Sequence, residues 1–260
     1  SGTQINMNLN EVIANKANLI LGSKLPSNKP LHPNDDINKS QSSNDTIPTA
    51  MHIATVLLIK RELLPAISKI KKTLKKKVKE FNKVIKIGRT HTQDATPIKL
   101  SNEFLAFHDQ IEYAEKKILQ SLNKLFQLAQ GGTAVGSGVN APKDFSKKFI
   151  KNLQKFTKLP FKSASNKYEA LASHDVFIEV MSSMEILTSS LFKIANDIRV
   201  LSSGPRSGIA ELILPANEPG SSIMPGKINP TQCEALSMVC AHVIGLRSSV
   251  SFACTQGHFQ

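Results

Sequence analysis

The chain has 260 residues, of which 40% are hydrophobic, and its 33 lysines and arginines against 20 acidic residues give a formal net charge of +13. This length and hydrophobic content allow one or two domains with a sizeable buried core. No run of about 18 consecutive apolar residues occurs, so the sequence predicts no membrane span and no membrane partner.

Much of the positive charge lies in one short segment. It contains Lys69, Lys71, Lys72, Lys75, Lys76, Lys77 and Lys79. A basic strip on a helix can bind phosphates, but this one has no interleaved aromatic residues for stacking and belongs to no recognised nucleic-acid module. We therefore favour a solvated helix face and expect no nucleic-acid partner. Salt-dependent retention of RNA would support the opposite interpretation.

The first forty residues predict a short helix over residues 4–22 and then an irregular stretch. A long helical pattern follows from about Asn44 to Phe81, with Asp45 or Thr46 as its cap and a bend expected at Pro65. Its apolar positions form a near-heptad stripe of Ile53, Leu57, Leu64, Ile67, Leu74, Val78 and Phe81.

Residues 82–98 predict a hairpin-like excursion, and a second helical stripe follows it. That stripe comprises Leu100, Phe104, Phe107, Ile111, Ala114, Ile118, Leu125 and Leu128. The glycine-rich stretch 131–138 has neither the spacing of a dinucleotide-binding loop nor that of a P-loop, so we interpret it as a connector.

The third stripe has the most regular period, with apolar residues alternately three and four apart. It comprises Phe177, Val180, Met184, Leu187, Leu191, Ile194, Ile198 and Leu201. This period is typical of helices that pack nearly parallel over several turns. Together with a further helix expected after Pro230, the pattern predicts an all-α bundle of long helices.

The stretch 220–230, Gly-Ser-Ser-Ile-Met-Pro-Gly-Lys-Ile-Asn-Pro, is predicted to be a loop because its glycines and prolines interrupt helices and strands. It combines hydroxyls, an ammonium group and a carboxamide just before a helix N-terminus, where an anion is favoured. On composition alone, a connector with a solvated lysine explains the stretch equally well.

This loop resembles the signature loop of the fumarase/aspartase superfamily. Its continuation, Thr-Gln-Cys-Glu at 231–234, resembles that of the class II fumarases. Segments 1–8, 32–35, 42–45 and 88–94 resemble the remaining active-site segments of the family, in the same order. Five matches with compatible spacing are much stronger evidence than one motif.

The resemblance implies a long-helix bundle of the fumarase/aspartase type, shared among four identical subunits, with each active site built from three of them. It also implies that the chain is a fragment. Residues 1–40 would be the end of a truncated N-terminal domain, and residues 41–260 would be a central bundle domain truncated at its C-terminal end.

The resemblance also assigns catalytic roles. His91 would bind or activate water, and Glu234 would orient its imidazole, because a carboxylate on one ring nitrogen raises the basicity of the other. Ser221 would take the carbon-bound proton, while Lys227 and Asn229 would hold the carboxylate next to that carbon.

Two further sets of residues follow from the same matches. The groups that would hydrogen-bond the substrate carboxylates are Ser1, Thr3, Ser42, Ser43, Asn44, Thr90 and Ser222. A second dicarboxylate site near the surface would comprise His32, Asn34 and Asp35, although an ordinary turn explains this His-Pro-Asn-Asp segment well.

The implied reaction is the reversible hydration of fumarate to L-malate, a tricarboxylic acid cycle step that needs no metal or cofactor. Aspartase is the nearest alternative, but it should lack the histidine at position 91 and the Thr-Gln-Cys-Glu continuation. Another superfamily lyase and a noncatalytic bundle are further alternatives.

Three cysteines without a disulfide pattern (Cys233, Cys240 and Cys254) favour one buried helix stripe and a reducing compartment, either the cytoplasm or the mitochondrial matrix.

Overall fold

A computed structural model of the chain describes residues 2–218 and 224–259. Within these ranges the fold is all-α, as predicted. The elements in chain order are α1 (Gly2–Ile20), α2 (Ser43–Leu58), α3 (Leu64–Glu80), β1 (Ile85–Thr90), β2 (Gln93–Lys99), α4 (Leu100–Leu125), β3 (Gln127–Leu128), α5 (Phe145–Thr157), β4 (Lys162–Ser163), α6 (Lys167–Ala172), α7 (Asp175–Leu201) and α8 (Thr231–Ala253). Pro33–Ile37 and Ile59–Leu63 are π-helical.

The chain forms two compact units. The first unit comprises Ser1–Arg61, Leu122–Val176 and Cys254–Gln260, and the second comprises Glu62–Ser121 and Phe177–Ala253. This division differs from a domain boundary after residue 40, which stays a prediction.

In the first unit, α1 confirms the helix predicted over residues 4–22 but starts at Gly2. Its buried side is polar. The side chains of Asn6 and Asn10 both donate to the side-chain oxygen of Asn38. The side chain of Asn18 donates to the carbonyl of Leu31 and accepts from the backbone N–H of the same residue. Its exposed side carries Ile5, Leu9, Val12 and Ile13. Side-chain amides therefore fasten the irregular stretch 23–40 onto the helix.

The long helix predicted from Asn44 to Phe81 is interrupted. A π-helical turn at Ile59–Leu63 separates α2 from α3 just before Pro65. Proline has no backbone N–H, and its ring crowds the carbonyl group four residues earlier, so the regular hydrogen-bond ladder cannot run through this point. The buried side of α2 also differs from the predicted stripe, since it comprises Asp45, Pro48, Thr49, His52 and Val56.

The second unit contains the predicted hairpin, in which β1 and β2 pair antiparallel with an irregularity between Ile87 and Arg89. All eight residues of the second predicted stripe are buried. Every second member of the α7 stripe is buried, at intervals of seven positions along the chain. The buried members are Val180, Leu187, Ile194 and Leu201.

Side chains join the long helices of the second unit. Lys71 of α3 lies 2.6 Å from Glu115 of α4. Lys193 of α7 lies over the ring of Phe107 of α4, at 5.1 Å from its centroid. Arg247 of α8 pairs with Glu185 of α7 at 3.1 Å. These contacts are those expected of a helix bundle.

Helix α8 leaves most of its apolar surface uncovered. Among the described residues it is the one helix long and apolar enough, by length and composition, to cross a membrane, with a mean hydropathy of 1.3 over its most apolar window. A single such helix is weak evidence for a span. Cys240 is its buried residue, whereas Met238 and Phe252 are 68% and 69% exposed.

Candidate functional site

Three predicted substrate-binding residues lie at the start of α2 in the first unit, and a fourth, Thr3, lies near the start of α1. Ser42 is the N-cap, and its hydroxyl accepts a hydrogen bond from the backbone N–H of Asn44 at 3.2 Å. The hydroxyls of Thr3 and Ser43 lie 3.3 Å apart. The structure therefore brings Thr3, Ser42, Ser43 and Asn44 together. The predicted cap at Asp45 or Thr46 was three or four residues too late.

The carboxylate of Asp45 explains how this segment is held. Asp45 is fully buried and accepts hydrogen bonds from the backbone N–H groups of Gly131 and Thr133, both at 2.9 Å, and from that of Ser42 at 3.0 Å. Asn44 donates to the carbonyl of Ala134 at 2.7 Å. Backbone donors in a turn with positive φ angles form a ready anion cradle. The interpretation of residues 131–138 as a mere connector was incomplete, because the turn binds a carboxylate of the protein itself.

The predicted second dicarboxylate site forms a compact capped turn. Nδ1 of His32 accepts hydrogen bonds from the backbone N–H groups of Asn34 and Asp35, at 3.3 and 3.2 Å, and the Asp36 carboxylate accepts from His32 N at 2.7 Å. These bonds account for the local geometry without a ligand. A binding role for His32, Asn34 and Asp35 stays a prediction.

In the second unit, the β1–β2 hairpin presents the Thr90–His91 pair. Thr90 ends β1, and His91 and Thr92 form the turn with φ angles of 51° and 62°. A two-residue hairpin turn with two positive φ angles matches the twist of the strands, although it costs a non-glycine residue some backbone strain. Both Thr90 and His91 are exposed. The hairpin therefore offers the imidazole to a ligand.

Three more predicted residues flank the start of α8. Pro230 directly precedes the helix, as predicted, and Glu234 lies in its first turn. Lys227 and Asn229 are exposed and line a cavity of about 830 Å³ together with Arg199. Two cations, an amide and a helix N-terminus suit a carboxylate ligand. Sequence reasoning did not single out Arg199, since it lies outside the matched motifs.

Some predicted contacts are not seen. Within residues 2–218 and 224–259, the side chains of His91 and Glu234 are not hydrogen-bonded to each other. Ser1, Ser221 and Ser222 lie outside the described residues. The roles assigned to these residues by resemblance therefore stay proposals.

Comparison with known proteins decides the family. A sequence profile of the family described as Lyase matches residues 1–245. The chain belongs to the Lyase family. The protein named fumarate hydratase class II 2 of Bradyrhizobium diazoefficiens is 56% identical over 260 residues, covering 100% of this chain and 55% of the relative. The mitochondrial fumarate hydratase of Dictyostelium discoideum is 56% identical over 261 residues, covering 100% and 54%.

The fold agrees with that of a solved class II fumarase. The crystal structure of recombinant class II fumarase from Schistosoma mansoni superimposes with a TM-score of 0.95 at 42% identity, covering 99% of this chain and 57% of that one. The predicted resemblance to the fumarase/aspartase superfamily is confirmed. The chain spans about half the length of the curated relatives it matches.

The three cysteines of this Lyase-family chain are free. Burial raises the pKa of each thiol, which disfavours the reactive thiolate. The prediction of one buried stripe was wrong, because of the three cysteines Cys240 alone is buried and Cys233 is half-buried. Cys254 lies beyond the end of α8, and its Sγ contacts the carbonyl of His174 at 3.4 Å. Among the described residues, no cluster of three or more His, Cys, Asp or Glu side chains could hold a metal ion.

Asp45→Asn should destabilise the Lyase-family protein and weaken substrate binding. A neutral amide accepts hydrogen bonds from the two N–H groups of the 131–138 turn less strongly than a carboxylate does. It also places its NH₂ group opposite the backbone N–H of Ser42, which is itself a donor. Losing charge-assisted hydrogen bonds at a buried site costs roughly 2 kcal/mol or more. We expect KM to rise more than kcat falls, because the 42–44 segment is displaced. Chemical denaturation and steady-state kinetics measure both effects.

Asp144→Asn is the matched control. Asp144 is exposed, and its carboxylate pairs with Lys148, four residues along the chain. Surface substitutions of this kind change little. If Asp45→Asn were as stable and as active as Asp144→Asn, the carboxylate would not hold the segment.

Proposed function

We propose that the full-length protein is a class II fumarate hydratase, which adds water reversibly to fumarate to give L-malate. The observation that carries the proposal is the match to proteins named fumarate hydratase at 54–56% identity along the whole of this chain. The presence of His91 and of Thr-Gln-Cys-Glu at 231–234 favours this activity over that of an aspartate ammonia-lyase, the main alternative.

The difficult step is removal of the C3 proton of malate. It places a second negative charge on the adjacent carboxylate, giving an aci-carboxylate. Lys227, Asn229 and the N–H groups at the start of α8 are suited to stabilise that charge, because they combine a positive charge with hydrogen-bond donors at a helix N-terminus. We assign the removal of this C3 proton to Ser221, on the strength of the signature-loop match.

The second step is loss of the C2 hydroxyl. His91 would donate a proton to this leaving hydroxyl, so that water departs as the double bond forms, and it would take a proton from water in the reverse direction. An exposed imidazole at a hairpin tip is accessible for this role. Glu234 would orient the ring once substrate is bound, since catalytic hydrogen bonds are often long or absent before binding.

The remaining polar groups would bind the two substrate carboxylates. Thr3, Ser42, Ser43 and Asn44 form one cluster of neutral donors, and Thr90 lies next to His91. Ser1 and Ser222 complete the set by their matched positions. Because these donors are neutral, Lys227 would supply the positive charge at one end of the substrate. The two substrate carboxylates would therefore lie in different environments.

We also propose a homotetramer whose active sites are shared between subunits. Large apolar side chains are exposed along the long helices, including Leu105, Leu119, Phe192, Met238, Val239 and Phe252. Soluble monomers rarely expose contiguous apolar surfaces of this kind, which usually mark interfaces. Packing against other subunits would cover α8 without a membrane.

A cytoplasmic location in a bacterium, or a mitochondrial matrix location in a eukaryote, is consistent with this proposal. The curated relatives include proteins from bacteria and others named as mitochondrial. Three free cysteines with raised pKa values suit either reducing compartment.

The full-length protein should consume fumarate without any added metal or cofactor, which is measured as loss of ultraviolet absorbance. L-Aspartate should yield no fumarate. Residues 1–260 alone should show little or no turnover, because exposed apolar faces favour aggregation or loose association. Fumarate formation from aspartate would show the alternative lyase activity, and robust hydration by residues 1–260 would contradict the need for the rest of the protein.

A further inference from the structure

Four charged side chains form a cluster in the second unit, two from strand β1 of the hairpin and two from outside the hairpin. Nζ of Lys86 lies 2.7 Å from Oε1 of Glu103 and 2.7 Å from Oε2 of Glu211. Nη2 of Arg89 lies 2.6 Å from Oε1 of Glu211. We call Lys86, Arg89, Glu103 and Glu211 the four-charge cluster. Two positive and two negative charges balance within it.

The cluster is sheltered from solvent, and its members depend on one another. The Lys86 side chain is 6% exposed, and that of Glu211 is 19% exposed. Burial by itself raises the pKa of Glu211, but the hydrogen bond from Arg89 and the ion pairs with Lys86 and Arg89 outweigh it and hold the pKa below its usual value. Removing one partner would leave a poorly solvated charge without compensation, which is strongly unfavourable.

A strand irregularity lies between the two cations. The pairing register shifts by one residue there, because Ile87 pairs with Pro97 but Arg89 pairs with Asp94, so the extra residue of the bulge lies in β2. Such a bulge increases the local twist of the strand pair, and the long side chains of Lys86 and Arg89 both reach Glu211 across it. At the bulge, a Cβ on Gly88 would lie 2.7 Å from the carbonyl oxygen of Thr96. Glycine is therefore required for the strands to approach this closely.

The cluster connects three parts of the second unit. Lys86 and Arg89 belong to β1, which ends one residue before His91, and Glu103 lies in the first turn of α4. Glu211 belongs to the segment between α7 and α8, where its backbone N–H donates to the carbonyl of Leu201 at 2.8 Å. That segment continues toward Lys227 and Asn229. The hairpin is thereby fastened to two long helices.

The hairpin has little else to hold it. Most residues of β1 and β2 are exposed or half-buried, and an isolated two-stranded hairpin is marginally stable in water. We propose that the four-charge cluster fixes the orientation of this hairpin, so that Glu211 is a positioning residue for His91. The proposal rests on the proposed function for the part that concerns His91, whereas the fastening of the hairpin stands on the contacts alone.

Glu211→Gln in the full-length protein tests the proposal. We expect backbone amides of residues 85–99 to exchange hydrogen at least about tenfold faster, since loss of a charge-assisted hydrogen bond makes local opening of the hairpin more frequent. Amides in the middle of α4 and α7 should keep their exchange rates. We expect kcat to fall about tenfold or more, with KM changed by less than about threefold, because misplacement affects the transition state most.

Glu115→Gln is the matched control in the same unit. Glu115 also lies 2.6 Å from a lysine, Lys71, which has Glu112 as a second carboxylate neighbour, and its side chain is also 19% exposed. It joins α3 to α4 and makes no contact with the hairpin among the described residues. Its substitution should leave exchange at residues 85–99 and kcat unchanged.

Each outcome decides one claim. Unchanged exchange at residues 85–99 in Glu211→Gln, or equal changes in both variants, would overturn the proposal. Faster exchange with unaltered kcat and KM would overturn the positioning of His91. If the wild-type protein does not hydrate fumarate, the proposed function fails, while exchange still decides whether the cluster holds the hairpin. If Glu211→Gln does not fold, Arg89→Gln takes its place. This variant removes the more exposed of the two ion pairs of Glu211, and its hydrogen exchange, kcat and KM decide the same claims.

Discussion

His91→Asn in the full-length protein is expected to lower kcat for fumarate hydration by on the order of 10²- to 10⁴-fold. This is the range for loss of a positioned general acid or base, and asparagine keeps a polar side chain of similar size without a titratable nitrogen. KM should change much less, because His91 would act on water rather than on the carboxylates. Steady-state kinetics in both directions measures the effect, with the exposed His258→Asn as the control that should retain full activity.

Glu234→Gln should also lower kcat, and the double variant shows whether the two residues act as a pair. If the carboxylate works by orienting the imidazole, the double variant should lose much less than the product of the two single losses. The structure describes no hydrogen bond between these side chains within one chain, so pairing would arise either when substrate binds or between subunits of the proposed tetramer. Multiplicative losses would mean that His91 and Glu234 act independently.

Ser221→Ala should lower kcat by about 10²-fold or more while leaving KM within about tenfold. Ser221 lies outside the described residues, so the expectation rests on the signature-loop match and on the neighbouring charges. A serine hydroxyl is far too weak an acid to be an alkoxide at neutral pH unless negative charge is strongly stabilised nearby. Lys227 and the positive end of α8 are the available stabilising groups. Loss of a group that acts mainly in the transition state affects kcat more than KM.

Ser222→Ala is the matched control, with a larger effect on KM than on kcat. Exchange of the malate C3 proton with solvent provides a second measurement. If Ser221→Ala exchanged this proton at the wild-type rate, Ser221 would not be the base, and His91 would become the leading candidate. Equal losses in kcat and in affinity would indicate that Ser221 only hydrogen-bonds a carboxylate.

Local pattern was sufficient for much of the fold. The hairpin over residues 82–98, the α4 stripe and the start of α8 after Pro230 all follow from interactions between near neighbours in the chain. A helix buries every third or fourth residue, and proline can end or begin it but not continue it. Motif matches likewise singled out His91, Lys227 and Asn229, and the structure places each of them exposed on a short segment, while their roles stay proposals.

Tertiary structure decided the features that join distant parts of the chain. Arg89 and Glu211 are 122 residues apart, and Asp45 meets Thr133 across 88 residues. On α2 the buried face carries Asp45 and His52, which a search for apolar periodicity assigns to solvent. The physical reason is that a polar side chain can be buried once distant partners satisfy its hydrogen bonds or charge, and those partners are known only when the chain has folded.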